Sequence, residues 1–281
     1  MNSLVSTDWL AARLGEPGLV VIDASAHLPA AGRDAHAEYL EGHIPGARFL
    51  SLARLVDTAS DVPQALPRPE QLARELAQLG IGPGDRIVFY DDSAVKTSAR
   101  AWFLCRAHGI GSVSILDGGL GKWKAEGRAL ESGPVEAEAA APMPLKSPAR
   151  IRFKADMLAN IADRNEQVLD ARDHGRFSGS VVDTVHNMPS GHIPGSCNLP
   201  FATLFREDGT YKPLDELRAA LDTAGIDPER PIVASCGSGV TACVLLFALH
   251  LVGREDTALY DGSWLDWGSD PATPKAVMAA Q

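Results

Sequence analysis

Cys236 stands where an apolar run, Pro231 to Ser235, gives way to Gly237-Ser238-Gly239-Val240-Thr241 and then to a second apolar stretch. A strand that ends in cysteine, passes two glycines and opens a helix has a definite physical consequence. The glycines let the backbone curl tightly, and the amides of Gly237, Ser238, Gly239, Val240 and Thr241 then point into one small bowl. The positive end of the following helix faces the same bowl. A sulfur anion there is held by amides and dipole together, so the segment reads as a thiolate nucleophile inside an anion cradle. The competing reading is an inert core cysteine. It suits Cys105 and Cys243, which lie within apolar helical runs, and no catalytic pattern surrounds Cys197. It suits Cys236 poorly, because core cysteines rarely precede a Gly-x-Gly turn.

Three other chemistries for this loop are disfavoured. Gly237 to Ala242 formally matches a dinucleotide fingerprint, but it begins too close to the C-terminus to build the rest of such a domain. No Gly-Lys-Ser/Thr follows, so it is not a Walker A loop. A phosphatase loop needs an arginine six residues after the cysteine to grip phosphate bidentately, and Ala242 stands there. A bowl lined by amides and two hydroxyls suits a small or singly charged group.

Stepping outward, the elements that must position Cys236 occur twice. Val20-Val-Ile-Asp23-Ala-Ser returns as Val168-Leu-Asp170-Ala-Arg172, and Gly42-His-Ile-Pro-Gly-Ala47 as Gly191-His-Ile-Pro-Gly-Ser196. Ile87-Val-Phe-Tyr-Asp91 matches Ile232-Val-Ala-Ser-Cys236, and Leu116-Asp-Gly-Gly-Leu120 matches Tyr260-Asp-Gly-Ser-Trp264. Four matches in one order at offsets of 144 to 149 mark two copies of one domain. The expected division is 1–132, a connector over 133–148 that is rich in Ala, Pro and Glu, and 149–281. Strands are expected at 19–23, 86–90 and 112–116, then at 167–170, 231–235 and 257–260. Helices are expected at 69–79, 97–108, 214–224 and 240–252. Alternating strand and helix predicts an α/β fold in each half, a mostly parallel sheet covered on both faces.

The 281 residues include 26 Lys and Arg against 36 Asp and Glu, a net charge of −10. Such a surface repels phosphate backbones and anionic lipid, so nucleic acid and membranes are poor partners. Four cysteines without a CxxC pair imply no disulfide framework and no zinc site, and the N-terminal residues lack the charged and apolar regions of a signal peptide. The expectation is a cytoplasmic protein. Asp170 and Arg172 are expected to form a structural ion pair near a strand end.

The duplicated motifs, with Cys236 in the second copy only, closely resemble the tandem-domain rhodanese sulfurtransferases over nearly the whole chain. The resemblance implies two tandem rhodanese-like domains with a catalytically silent first copy, and Asp91 at the cysteine's position fits that. The loop Cys236-Gly-Ser-Gly-Val-Thr-Ala-Cys243 looks like the 3-mercaptopyruvate type. The thiosulfate type carries Arg and Lys where Gly237 and Ser238 stand, as a dianionic donor would require. The implied chemistry moves sulfur from 3-mercaptopyruvate through a Cys236 persulfide to a thiol, thioredoxin or cyanide, with release of pyruvate and no metal or organic cofactor. The resemblance also implies that Arg176 binds the donor carboxylate. It further implies a relay of Ser238, His43 and Asp34, in which His43 has a structural alternative because its motif occurs in both copies. A second arginine usual in this type is absent from Val181-Val-Asp-Thr-Val-His186-Asn187, where His186 is the available cation. A thiosulfate sulfurtransferase and a persulfide carrier with little small-molecule turnover are the alternative functions.

Overall fold

The computed structural model describes residues 2–278. The apolar runs become central strands buried from both sides. In the first half, Leu4–Val5 (β1), Leu19–Asp23 (β2), Arg48–Phe49 (β3), Arg86–Tyr90 (β4) and Val113–Leu116 (β5) form a parallel sheet in the order β1-β5-β4-β2-β3. The second half has Ile151–Arg152 (β6), Gln167–Asp170 (β7), Cys197–Asn198 (β8), Ile232–Ser235 (β9) and Thr257–Tyr260 (β10). Its order, β6-β10-β9-β7-β8, is the same strand for strand, and all its pairs are parallel. Register puts Asp23 opposite Tyr90 and Asp170 opposite Ser235. Each aspartate therefore flanks the strand end from which a loop departs.

Four ten-residue helices fall where the apolar pattern puts them, at Pro69–Gln78, Ser98–Ala107, Leu214–Thr223 and Ala242–Leu251, and a fifth, Lys154–Asp163, was not foreseen, its one fully buried residue being Met157. Ala242 to Leu249 are all buried, so this helix has no polar face and is fixed on every side. The two-residue edge strands were not foreseen, because two residues carry no periodicity. Equivalent residues fill equivalent core places in the two sheets: Val21, Ile44, Val88 and Trp123 in one, Val168, Ile193, Val233 and Trp267 in the other.

The chain forms two compact units. One comprises Met1–Asp57, Leu66–Ala149 and Arg206–Tyr211, the other Thr58–Ala65, Arg150–Phe205 and Lys212–Gln281. The outermost residues of both expected halves, Met1 and 279–281, lie outside the described residues. Residues 134–149 carry no helix or strand, as expected of a connector, but they belong to the first unit. The N–H groups of Gly133, Ala140, Lys146 and Ala149 donate to the carbonyls of Leu40, Ala77, His108 and Ala107 at 2.8 to 3.1 Å. The segment is a strap bonded along its length. Among the described residues, no helix is long and apolar enough to cross a membrane.

Arg206–Tyr211 joins the first unit through the Tyr211 N–H, which donates to Asp117 Oδ1 at 2.8 Å. Burial pushes the Asp117 carboxyl up from 3.8 to about 6, against the pull of that hydrogen bond. A carboxyl raised in the folded state binds more protons folded than unfolded between those two values. Stability therefore falls as pH rises through that interval, and the cost, on the order of 3 kcal/mol at most, is fully present above it. Asp117→Asn keeps an acceptor for Tyr211 and removes the ionisation. The variant should melt above the parent at pH 7.5 and not at pH 4, and a gap independent of pH in thermal scans would refute this.

Candidate functional site

Cys236 follows β9 directly and is 1% exposed. Its sulfur lies inside the turn, where the Gly239 N–H donates to Sγ at 3.1 Å. Gly239 makes that approach at φ +79, a conformation for which glycine is the natural choice. Helix Ser263–Ser269 follows the turn after β10, and its start holds the backbone of Cys236. The Cys236 carbonyl accepts the Trp264 N–H at 2.9 Å, and the Cys236 N–H donates to Ser263 Oγ at 3.1 Å. Ser263 Oγ donates in turn to the Tyr260 carbonyl and lies 4.0 Å from Cys236 Sγ. Ser263 achieves this at φ +50, a left-handed conformation that costs a non-glycine residue about 1 kcal/mol or more. Its counterpart in the first copy is Gly119, at φ +56. The serine carries backbone strain that the first copy lacks, and its hydroxyl reaches the Cys236 amide.

The first copy shows what becomes of the cradle without a thiol. Asp91 occupies the cysteine's place and its carboxylate fills the bowl: Oδ1 accepts the Ser93 N–H and Oδ2 the Ser98 N–H, each at 2.9 Å. Its carbonyl still accepts from Leu120, as Cys236's does from Trp264. The scaffold is retained and the anion site is self-occupied.

Around Cys236 the second unit arranges a chain of charged groups. Asp173 caps helix His174–Ser178 and pairs with Arg176 through both the backbone N–H and Nε. Burial works against it, but these Arg176 contacts hold the Asp173 carboxyl below its usual range. Arg176 Nη1 lies 3.7 Å from Oδ1 of Asp183, which is fully buried. That oxygen also accepts the N–H groups of Val185 and His186, and Asp183 Oδ2 lies 3.2 Å from His186 Nδ1. The His186 imidazole occupies the space that a side chain on Gly237 would fill: a Cβ there would fall 2.1 Å from Cε1 and 2.7 Å from Nε2. Arg176, Asp183, His186 and the cysteine loop thus form one continuous set. Behind them Arg172 is buried against Asp170 at 2.6 Å, as the sequence led us to expect, and its guanidinium stacks 4.4 Å above the Trp264 ring.

Ser238, Val240 and Thr241 are half-buried on the loop. Asp34 and His43 belong to the first unit, and the contacts seen there are structural. Asp34 is the N-cap of helix Ala35–Glu41, its Oδ1 accepting from the N–H groups of His36 and Ala37. His43 is fully buried, with Nδ1 2.8 Å from the Tyr39 carbonyl and its ring stacked 4.2 Å from that of Tyr39. His192 repeats this geometry on Phe177, at 2.8 and 4.1 Å. Sequence reasoning missed Asp183, Ser263 and Trp264. Ser263 and Trp264 were visible only as the tail of a repeated motif. Asp183 had no sequence signal beyond lying three residues before His186.

The rhodanese-like domain family matches residues 6–126 and again 154–270. Human 3-mercaptopyruvate sulfurtransferase is 38% identical over 276 residues, covering 95% of this chain and 92% of the relative. The mitochondrial thiosulfate/3-mercaptopyruvate sulfurtransferase 1 of Arabidopsis thaliana is 37% identical over 292 residues, covering 96% and 77%. The crystal structure of SseA from Escherichia coli, described as a 3-mercaptopyruvate sulfotransferase with the rhodanese fold, superposes with a TM-score of 0.85 at 37% identity. It covers 94% of this chain and 99% of SseA.

Ser263 offers a direct test of the strained turn. Ser263→Gly relaxes the backbone but leaves the Cys236 N–H without its hydroxyl acceptor, two effects of about 1 kcal/mol and opposite sign. Denaturant unfolding should therefore show little net change in stability, while labelling of Cys236 by a small electrophile changes in rate. An unaltered labelling rate would mean the hydroxyl does not tune the thiol.

Proposed function

We propose a function from the premise that this chain belongs to the rhodanese-like family, two copies of whose domain it contains. It is a sulfurtransferase that takes sulfur from 3-mercaptopyruvate, the activity its relatives are named for. The Cys236 thiolate attacks the donor sulfur, the carbon–sulfur bond breaks, and its electron pair leaves on C3 as the pyruvate enolate, which takes up a proton. Cys236 then carries a persulfide. An acceptor thiolate attacks the outer sulfur, the sulfur–sulfur bond breaks, and the Cys236 thiolate returns. The first half contributes a scaffold and no nucleophile, since Asp91 stands in place of the cysteine.

The observation that carries this reading is the Gly239 N–H on Cys236 Sγ, within a loop that has no cationic side chain from Cys236 to Cys243. Amides alone suit a persulfide and a donor with one carboxylate, whereas a dianion calls for added positive charge. Arg176, held between Asp173 and Asp183, is the residue we assign to the donor carboxylate, in keeping with the planar fork of a guanidinium. The acceptor is a small thiol, cyanide or a thioredoxin-like protein. Four cysteines, none of them in a disulfide, support a reducing, cytoplasmic setting.

Pyruvate release from 3-mercaptopyruvate should exceed sulfite release from thiosulfate under one thiol acceptor. The reverse order would make thiosulfate the donor and remove the charge argument. Cys236→Ser, nearly isosteric, should abolish both reactions and leave the circular dichroism spectrum unchanged, and residual turnover above a few per cent would move the nucleophile elsewhere. Arg176→Ala should raise KM for 3-mercaptopyruvate by about tenfold or more, the loss of a charge-assisted bidentate contact. An unchanged KM would exclude Arg176 from the carboxylate.

A further inference from the structure

The donor step leaves an electron pair on carbon, and something must deliver a proton there. We infer that His186, oriented by the buried Asp183, is the acid that protonates C3 of the departing enolate. This rests on the 3-mercaptopyruvate reading of the site. Three observations carry it. The imidazole lies on Gly237, the residue next to the nucleophile, so closely that no side chain fits between them. Nδ1 faces Asp183 Oδ2 at 3.2 Å, and a carboxylate can only accept, so Nδ1 carries the fixed proton and Nε2 is the nitrogen that exchanges. Asp183 itself is fully buried and locked, its other oxygen taken by the N–H groups of Val185 and His186.

The loop that holds the ring is also pinned. The Met188 N–H donates to the Asp183 carbonyl at 3.3 Å, and Trp264 Nε1 donates to the Pro189 carbonyl at 2.9 Å. The same Trp264 secures the Cys236 carbonyl. Nucleophile and imidazole are therefore tied to one residue, through its backbone N–H and its indole N–H. Arg176 touches the other oxygen of Asp183, so a single aspartate orients the group assigned to the carboxylate and the group assigned to the proton. An arginine at position 186 would hold a carboxylate but would not release a proton near neutrality. A histidine does release one.

The step balances without an added reactant. Cys236 enters the step as the thiolate, its proton already lost to water, and Nε2 enters carrying a proton taken up from water. The thiolate forms the sulfur–sulfur bond, the carbon–sulfur bond breaks, and the imidazolium gives its proton to C3. The donor sulfur is formally oxidised and C3 reduced, and the products are a Cys236 persulfide and pyruvate. His186 is a catalytic residue in this scheme and Asp183 a positioning residue.

The test compares two ways of loading Cys236 in single-turnover experiments on the full chain. 3-Mercaptopyruvate must expel a carbanion, whereas inorganic polysulfide expels a sulfur anion that needs no proton on carbon. In His186→Gln, pyruvate release at saturating donor should fall by about 100-fold or more, the usual worth of a positioned acid. Loading from polysulfide and transfer of the persulfide to a thiol should stay at the parent rates, which also shows that the loop is folded. Equal loss with both donors would make His186 an activator of the thiol or a structural residue and overturn the inference. A raised KM with unchanged maximal release would make it a carboxylate ligand and overturn it too, as would no change. If the parent loads from polysulfide but releases no pyruvate, the donor assignment itself fails.

Discussion

Strand β9 ends at a loop, and the last peptide groups of a central strand must find partners beyond the ladder. Here the turn after β10 supplies them: Trp264 donates to the Cys236 carbonyl and Ser263 accepts from its N–H. Most of the site depends on this two-bond latch. It fixes where the backbone of Cys236 sits and therefore where the Gly239 amide meets its sulfur. Trp264 then spreads the constraint. Its ring lies under Arg172, which neutralises Asp170 beside the end of β9, and its indole N–H holds the segment that carries Asp183 and His186. A buried ion pair of this kind is weak evidence of stability, since desolvation offsets much of its attraction. Its value here is geometric. It holds a flat aromatic face and a strand end in register.

The duplicated halves separate scaffold from chemistry. Both retain the strand order, the Gly-His-Ile-Pro-Gly corner with its histidine stacked on an aromatic ring, and the carbonyl latch after the loop. They part at the group inside the bowl. Asp91 brings its own negative charge and accepts two amides, which leaves the first bowl occupied. Cys236 takes one amide contact on sulfur, and sulfur can be charged, loaded and discharged. An amide cradle of this shape evidently tolerates either anion. The side chain that enters it decides whether the bowl is filled by a carboxylate or closes on a sulfur.

Much of this was legible in the sequence because the physics was local. Apolar runs of four or five residues bounded by polar turns gave the central strands, with Leu19–Asp23, Arg86–Tyr90, Gln167–Asp170 and Thr257–Tyr260 ending where the runs end. Cys236 stood out because a cysteine before Gly-x-Gly at a strand end has few structural uses. The Asp170–Arg172 pair was readable from spacing. Contacts made across the fold were not. Nothing in Val181 to Asn187 says that its histidine lies on Gly237, or that its aspartate is wholly buried. Nor does Asp-Gly-Ser announce a strained serine, because the left-handed turn shows itself only when Gly119 and Ser263 are set side by side. The strap over 134–149 looked like free linker in composition, yet its amides are spent on carbonyls far away in sequence.

The pairing of Gly119 with Ser263 also bears on descent. Glycine and serine codons can differ by a single base, so at this turn one base change can separate the two halves. The position of Asp91 and Cys236 is different. Aspartate and cysteine codons are two bases apart, and the first-copy loop, from Asp91 to its helix at Ser98, is one residue longer than that from Cys236 to Ala242. Asp91 Oδ2 is matched to that longer loop through the Ser98 amide. Placing a thiol in the first half would thus require a double substitution and a deletion, with intermediates whose bowl is neither filled by a carboxylate nor shaped around a sulfur. A first half with a thiol in its bowl therefore lies several concerted changes away from the sequence as it stands.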